Sequence, residues 1–243
     1  MEPLTLLLMC AAAFAVAALV VAAGFGLGTA LTPLFLLVYD VKTAVFLVAV
    51  VHLANNLFRL ALFRRGIDFT IVGRFGLASI AGAIAGSLLQ PRIANPSLEI
   101  GLGGLLVVLG GLEFLPEQKA WRIPRRYDQA GGFFSGLLGG LIGNQGALRS
   151  AYLLNYALSK EAFIATGTAI ACLIDVSRIP VYVAHYGANL AGAWGYLLLV
   201  IACAFAGTLT GARLVQRLAE ARFHRVVAGA IVATGVLLIV SNL

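Results

Sequence analysis

Two apolar runs in this chain fit neither one membrane crossing nor two. Residues 4–38 and 130–156 each exceed the about 20 residues that one helical span needs, yet fall short of two spans. Both are interrupted by glycine, at 24–28 and at 143–146. Irregular backbone at membrane depth is tolerated only where it is buried in protein or lines a cavity. Each run therefore predicts two helical pieces that meet inside the bilayer. The two breaks follow one pattern, AGFGLGTALTP at 23–33 and GGLIGNQGALR at 139–149, with Gly28 and Lys42 spaced as Gly146 and Lys160.

Ordinary spans fill the rest. Residues 43–63, 71–89 and 98–115 follow the first broken run, and 162–185, 190–212 and 226–243 follow the second. The polar stretch 117–128 divides them, so the chain reads as a first repeat (1–116), a basic cytoplasmic linker (117–129) and a second repeat (130–243). Local matches recur in the same order. Ala85-Gly86-Ser87-Leu88 answers Ala206-Gly207-Thr208-Leu209, and Gly104/Gly110 answers Gly229/Gly235, as expected of an internal duplication. With 61% hydrophobic and 11% charged residues, the 243-residue chain cannot cover a soluble surface. Its continuous apolar runs also exclude an outer-membrane barrel, whose strands alternate. The net charge of +7 comes from residues flanking the runs and does not indicate nucleic acid.

Charge placement orients the chain. Suppose each broken run is a hairpin returning to its own side and is followed by three spans. The two termini, Lys42, Arg92 and His185 then share one face, and Arg64, Arg65, Arg74, the basic residues of 119–126, Lys160, Arg213, Arg217, Arg222 and Arg225 share the other. The second face is cytoplasmic by the positive-inside rule, which puts both termini on the extracytoplasmic side of a plasma (bacterial inner) membrane. An odd number of crossings per half inverts the halves. Inverted repeats with broken helices indicate a transporter whose substrate sits near the midplane. The expected fold is all-α and polytopic, two inverted repeats each made of a re-entrant hairpin plus three spans.

Gly28 and Gly146 open short apolar segments, whose free N–H groups and positive helix ends suit an anion; close helix packing is the alternative. Arg149 follows the second break within a turn, where an arginine costs about 2.5–3.5 kcal/mol on insertion scales. It either binds a substrate oxyanion or pairs with Asp175. Asn144, Gln145, Ser150, Thr29 and Thr32 offer further donors, although a hydroxyl can equally bond its own helix. Asp175 and Arg178 lie three apart, as an ion pair or as a proton carrier and a second anion contact. In the matching first-half span, His52, Asn56 and Arg59 form a stripe beside Asn55. His52 is a candidate for proton coupling, and Arg59 either faces the bundle or snorkels to the interface. Thr166 and Thr168 either line the site or pack. Cys10, Cys172 and Cys203 lack metal-ligand spacing, and no catalytic set, metal site or cofactor motif appears.

The motifs GFGLGTALTPLFLL, GGFFSGLLGGLIGNQGALRSAYLL and KEAFIATGTAIA resemble those of the TauE/SafE family of sulfite-exporter-type membrane proteins over nearly the whole chain. The second turn departs from the family pattern: it reads Gly-Asn-Gln-Gly, and Ala151 stands where Pro33 stands in the first half. The resemblance implies export or uptake of a small sulfur anion such as sulfite or sulfoacetate, and the inverted repeats suggest alternating access as one repeat rocks against the other. A homodimer is compatible with it. The other readings are a proton- or cation-coupled carrier of a neutral or zwitterionic solute, with Asp175 as the ion site, and an anion channel. The matched breaks argue against a passive assembly subunit, and the missing catalytic set argues against an enzyme.

Overall fold

The computed structural model describes residues 3–23, 26–93, 95–112, 124–153 and 158–214, with residues 114, 156, 232–233, 235–236 and 238–240. The described chain is helical and contains no strand. Its elements are α1 (Pro3–Ala23), α2 (Leu27–Leu36), α3 (Val41–Phe63), α4 (Phe69–Arg92), α5 (Asn95–Leu112), α6 (Asp128–Ile142), α7 (Gly146–Leu153) and α8 (Lys160–Leu214). Most of the expected linker, Arg217, Arg222, Arg225 and most of the expected last span 226–243 lie outside the described residues.

Local chemistry sets the boundaries. Asp40 caps α3 by accepting from the backbone N–H groups of Lys42 and Thr43 at 3.0 and 3.3 Å, and Asp68 caps α4 in the same way. The first broken run divides into α1 and α2, with Gly26 at φ 115° capping α2. The second divides into α6 and α7, with Gly143 at φ 79° ending α6. Both turns use the left-handed region, which glycine enters without a Cβ penalty. The two runs differ in proportion. The 21 residues of α1 are enough to cross a bilayer, whereas the 15 of α6 reach only about 22 Å.

Among the described residues, five stretches are long and apolar enough to cross a membrane: Pro3–Val21, Val41–Gly66, Phe69–Arg92, Glu161–Ala188 and Ala193–Arg213. The last two belong to α8, which doubles back on itself. Asp175 contacts His52 and Thr208 contacts Asn55, and these partners are less than one turn apart on α3. A straight helix would hold Asp175 and Thr208 about 50 Å from each other. Relative directions follow from the contacts. The first limb of α8 runs opposite to α3: Glu161 lies at Gly66, Asp175 at His52 and Tyr182 at Phe46. Helix α4 runs with α6, and the second limb of α8 runs with α1.

Those two parallel pairs pack backbone against backbone. A Cβ added to Gly132, Gly136 or Gly140 of α6 would collide with the carbonyl oxygens of Phe75, Ser79 and Ala83 of α4. One on Gly207 or Gly211 would strike those of Phe14 and Ala18 of α1. Small residues four apart permit this approach, the usual basis of helix association in lipid. The apolar core falls into two clusters. One joins α1, α2, α3 and the second limb of α8 through Ala13, Leu31, Phe46, Val48 and Leu197, and includes Ile142 of α6 and Tyr182 of the first limb. The other joins α4, α7 and the first limb of α8 through Phe75, Ala83, Leu153, Ile170 and Ile174.

Candidate functional site

The two breaks meet. A Cβ on Gly28 would lie 3.4 Å from the carbonyl oxygen of Gly143 and 3.6 Å from the His52 ring. Around this contact α3, α7 and α8 bring together His52, Asn55, Asn56, Arg59, Gln145, Arg149, Asp175 and Arg178, all buried. The stripe expected on α3 faces the bundle interior, because its counterpart on α8 carries the only carboxylate at that level among the described residues.

Asp175 organises one side of the cluster. Its Oδ1 accepts from Arg178 Nε and Nη2 at 3.0 and 2.8 Å and from Gln145 Nε2 at 3.2 Å. Its Oδ2 lies 2.7 Å from His52 Nδ1. A carboxylate only accepts, so Nδ1 carries the proton, and Nε2 is the ring nitrogen able to accept from Asn56 Nδ2 at 3.3 Å. Arg178 also donates to the carbonyl oxygen of Gly139, and Tyr182 donates to that of Gly140. The last turn of α6 is thus held by two side chains of α8. Arg178 forms the expected ion pair, and the three nitrogens of its guanidinium are all engaged by protein groups.

Arg149 is arranged differently. It is 3% exposed, and Nη1 donates to Gln145 Oε1 at 3.3 Å, but Nε has no partner. Gln145 therefore links Arg149 to Asp175, and its own backbone carbonyl accepts from Ser135 at 3.0 Å. Arg59 is 2% exposed, with Nε and Nη2 unpartnered, so its head does not snorkel to the interface. The charges of Arg59 and Arg149 act on one another, and both act on Cys172.

The remaining candidates divide. Asn55 accepts from Thr208 at 2.8 Å and leaves its Nδ2 unpartnered. The Thr32 hydroxyl bonds the carbonyl of Gly28 within its own helix at 2.8 Å. Thr166 accepts from the backbone N–H of Asp68, away from the breaks, whereas Thr168 is buried with its hydroxyl unpartnered. Asn144 and Ser150 are buried at the second break. Gly146 begins α7, but α2 begins one residue before Gly28, and the Thr29 side chain lies outside the described residues. The residues with the special backbone conformation are Gly26 and Gly143, which the Gly28/Gly146 spacing missed. Their places inside the two glycine-rich interruptions, 24–28 and 143–146, were the available signal.

A bundle of apolar helices around a buried, predominantly cationic centre at two helix breaks defines a polytopic membrane protein. The family model for the sulfite exporter TauE/SafE matches residues 9–238, and the chain belongs to that family. It is therefore a membrane transporter of the sulfite/sulfonate type. No curated protein and no solved structure matches the chain.

Proposed function

We propose that the protein exports a small sulfur oxyanion or sulfonate across a bacterial-type inner membrane by alternating access. The anion is held where the two breaks meet, by Arg149 and by the N-terminal N–H groups of α2 and α7. The observation that carries this reading is Arg149 itself. It is a buried guanidinium in the first turn of a helix that starts at a break, with an unpartnered Nε and no carboxylate bonded to it among the described residues. An uncompensated charge in such a place is costly, and a substrate anion relieves the cost. The planar fork of arginine also suits an oxyanion better than a spherical ion.

The finer organisation belongs to the same proposal. The halves 1–116 and 130–243 are inverted repeats, with both termini extracytoplasmic. Their support is the opposed directions of α3 and the first limb of α8, together with one left-handed glycine at each break. His52 and Asp175 form the proton-coupling pair. Asp175 is surrounded by Arg178, His52 and Gln145, which argues against a cation site there.

The test is thermal stabilisation of purified wild type and Arg149→Leu by sulfite, sulfate, thiosulfate, a small sulfonate, a carboxylate and chloride. A ligand bound only by the native state raises the melting temperature by mass action. Stabilisation by one sulfur anion, lost in the inserted and folded variant, is the expected result. A wild type that responds to none of them would end the anion reading.

A further inference from the structure

Charge at the centre of the bundle does not balance. We propose that the site selects divalent over monovalent anions and that Arg59, acting beside Arg149, reads the second charge. This deepens the functional reading above and rests on it.

Three buried guanidinium groups, Arg59, Arg149 and Arg178, face one buried carboxylate, Asp175. That carboxylate is taken by Arg178, His52 and Gln145, and it bonds neither Arg59 nor Arg149. Even with His52 uncharged, two positive charges remain without a counter-charge among the described residues. Arginine does not escape by losing its proton. A Cβ on Gly167 would lie 3.6 Å from Arg149 Nε, and the antiparallel register of α3 with the first limb of α8, Gly66 at Glu161 and His52 at Asp175, sets Arg59 level with Thr168, so two like charges share one level of the bundle and repel one another. Three of their nitrogens, Arg59 Nε and Nη2 and Arg149 Nε, are fully buried donors without acceptors among the described residues. A buried donor left unmade is costly, and charged donors are the costliest.

A monovalent anion would neutralise one of these arginines and leave the other. A divalent oxyanion neutralises both and offers several oxygens to the idle nitrogens, which are the strong, charge-assisted kind of donor. Each proposed half contributes one of the pair, Arg59 from α3 and Arg149 from α7, so the second charge is sensed only where the halves meet. Sulfite as its dianion, or a sulfonate carrying a second acidic group, fits this charge. A simple sulfonate or chloride does not.

Two probes isolate charge from shape. Sulfoacetate and 2-hydroxyethanesulfonate share a sulfonate and a two-carbon body but carry two charges and one. Affinities for both are measured by calorimetry on the full chain in detergent, for wild type, Arg59→Gln and Arg59→Lys. Wild type is expected to favour sulfoacetate by about tenfold or more. Arg59→Gln is expected to bring the two within about threefold, by weakening sulfoacetate and leaving the monovalent probe nearly unchanged. Arg59→Lys, which keeps the charge, is expected to keep the preference. Should Arg59→Gln not fold, the wild-type ratio and the lysine variant decide. Equal affinities in wild type, or an unchanged ratio in Arg59→Gln, overturn the proposal. If neither probe binds while sulfite still stabilises the protein, the divalent preference falls and the anion reading stands. If no anion binds, both fall.

Discussion

Asp175 is the residue on which the buried polar cluster depends for its stability. It has a guanidinium, an imidazole and an amide around a single carboxylate, and α3, α7 and α8 meet through it. Removing one member of a buried pair leaves the other uncompensated, at about 3–5 kcal/mol, whereas replacing both by apolar groups is often nearly neutral. Asp175→Leu is therefore expected to lower the melting temperature in detergent sharply, and Asp175→Leu with Arg178→Leu to recover much of the loss. A double variant as unstable as the sum of its parts would mean that His52 and Gln145, and not Arg178, need the carboxylate. Arg149 and Asp175 were legible in the sequence because a charge inside an apolar run demands a reason. Arg59 was legible only as one of two options. What separates them is its closeness to Arg149, ninety positions away in the chain, and local spacing carries no record of that. The same limit left Arg149 with Asp175 as an open pairing, when Gln145 in fact stands between the two.

Helix breaks are the best-marked elements of the sequence, because glycine in a long apolar run marks a turn that few other residues can make. The site at which φ becomes positive was less visible, since five positions around 24–28 hold three glycines and only Gly26 adopts that conformation among the described ones. Glycines of the helix interiors carried no such signal. They read as general packing, and only the fold assigns those of α6 to the carbonyls of α4. The reversal inside α8 was seen as two spans, 162–185 and 190–212, though helical backbone is assigned throughout Lys160–Leu214. Gly136→Val tests the α4–α6 contact. Its side chain would enter the space of the Ser79 carbonyl oxygen and the Ala83 backbone nitrogen, neither of which can turn aside. Overpacking of this kind costs about 1–3 kcal/mol. The variant should melt earlier in a detergent-solubilised thermal scan, while Gly73→Val, where a Cβ meets nothing within 4 Å, should not. Equal melting of the two would show that the helices yield.

Alternating access needs a surface along which the molecule can slip, and at the scale of the whole molecule the packing limits where that surface is. Motion of residues 1–116 against 130–243 would have to part α4 from α6 and α1 from the second limb of α8, the two pairs in which glycines of one helix lie against carbonyl oxygens of the other over successive turns. Both apolar clusters ignore that division, since each takes helices from both halves. Another partition exchanges the second span and keeps both backbone-packed pairs intact. One body is α1, α2, α3 and the second limb of α8; the other is α4, α6, α7 and its first limb. Their seam passes through the Gly28–Gly143 approach, the His52–Asp175 contact and the Phe46–Tyr182 ring pair at 6.0 Å, so movement along it would open or cover the proposed anion site. The chain crosses between bodies at the 3-10 turn Arg64–Gly66 and where α8 reverses, the places where the proposed movement would hinge. Cross-links separate the two partitions. Cys10 of α1 and Cys203 of α8 are free thiols within hydrogen-bonding reach of each other and lie inside one exchanged body. Joining them with a short thiol reagent is expected to leave anion flux in proteoliposomes unchanged. In a variant with Cys10 and Cys203 replaced by serine, joining Phe46→Cys to Tyr182→Cys spans the seam and is expected to stop the flux until the link is reduced. The reverse pattern, arrest by the Cys10–Cys203 link and indifference to the other, would make the moving bodies the two sequence halves.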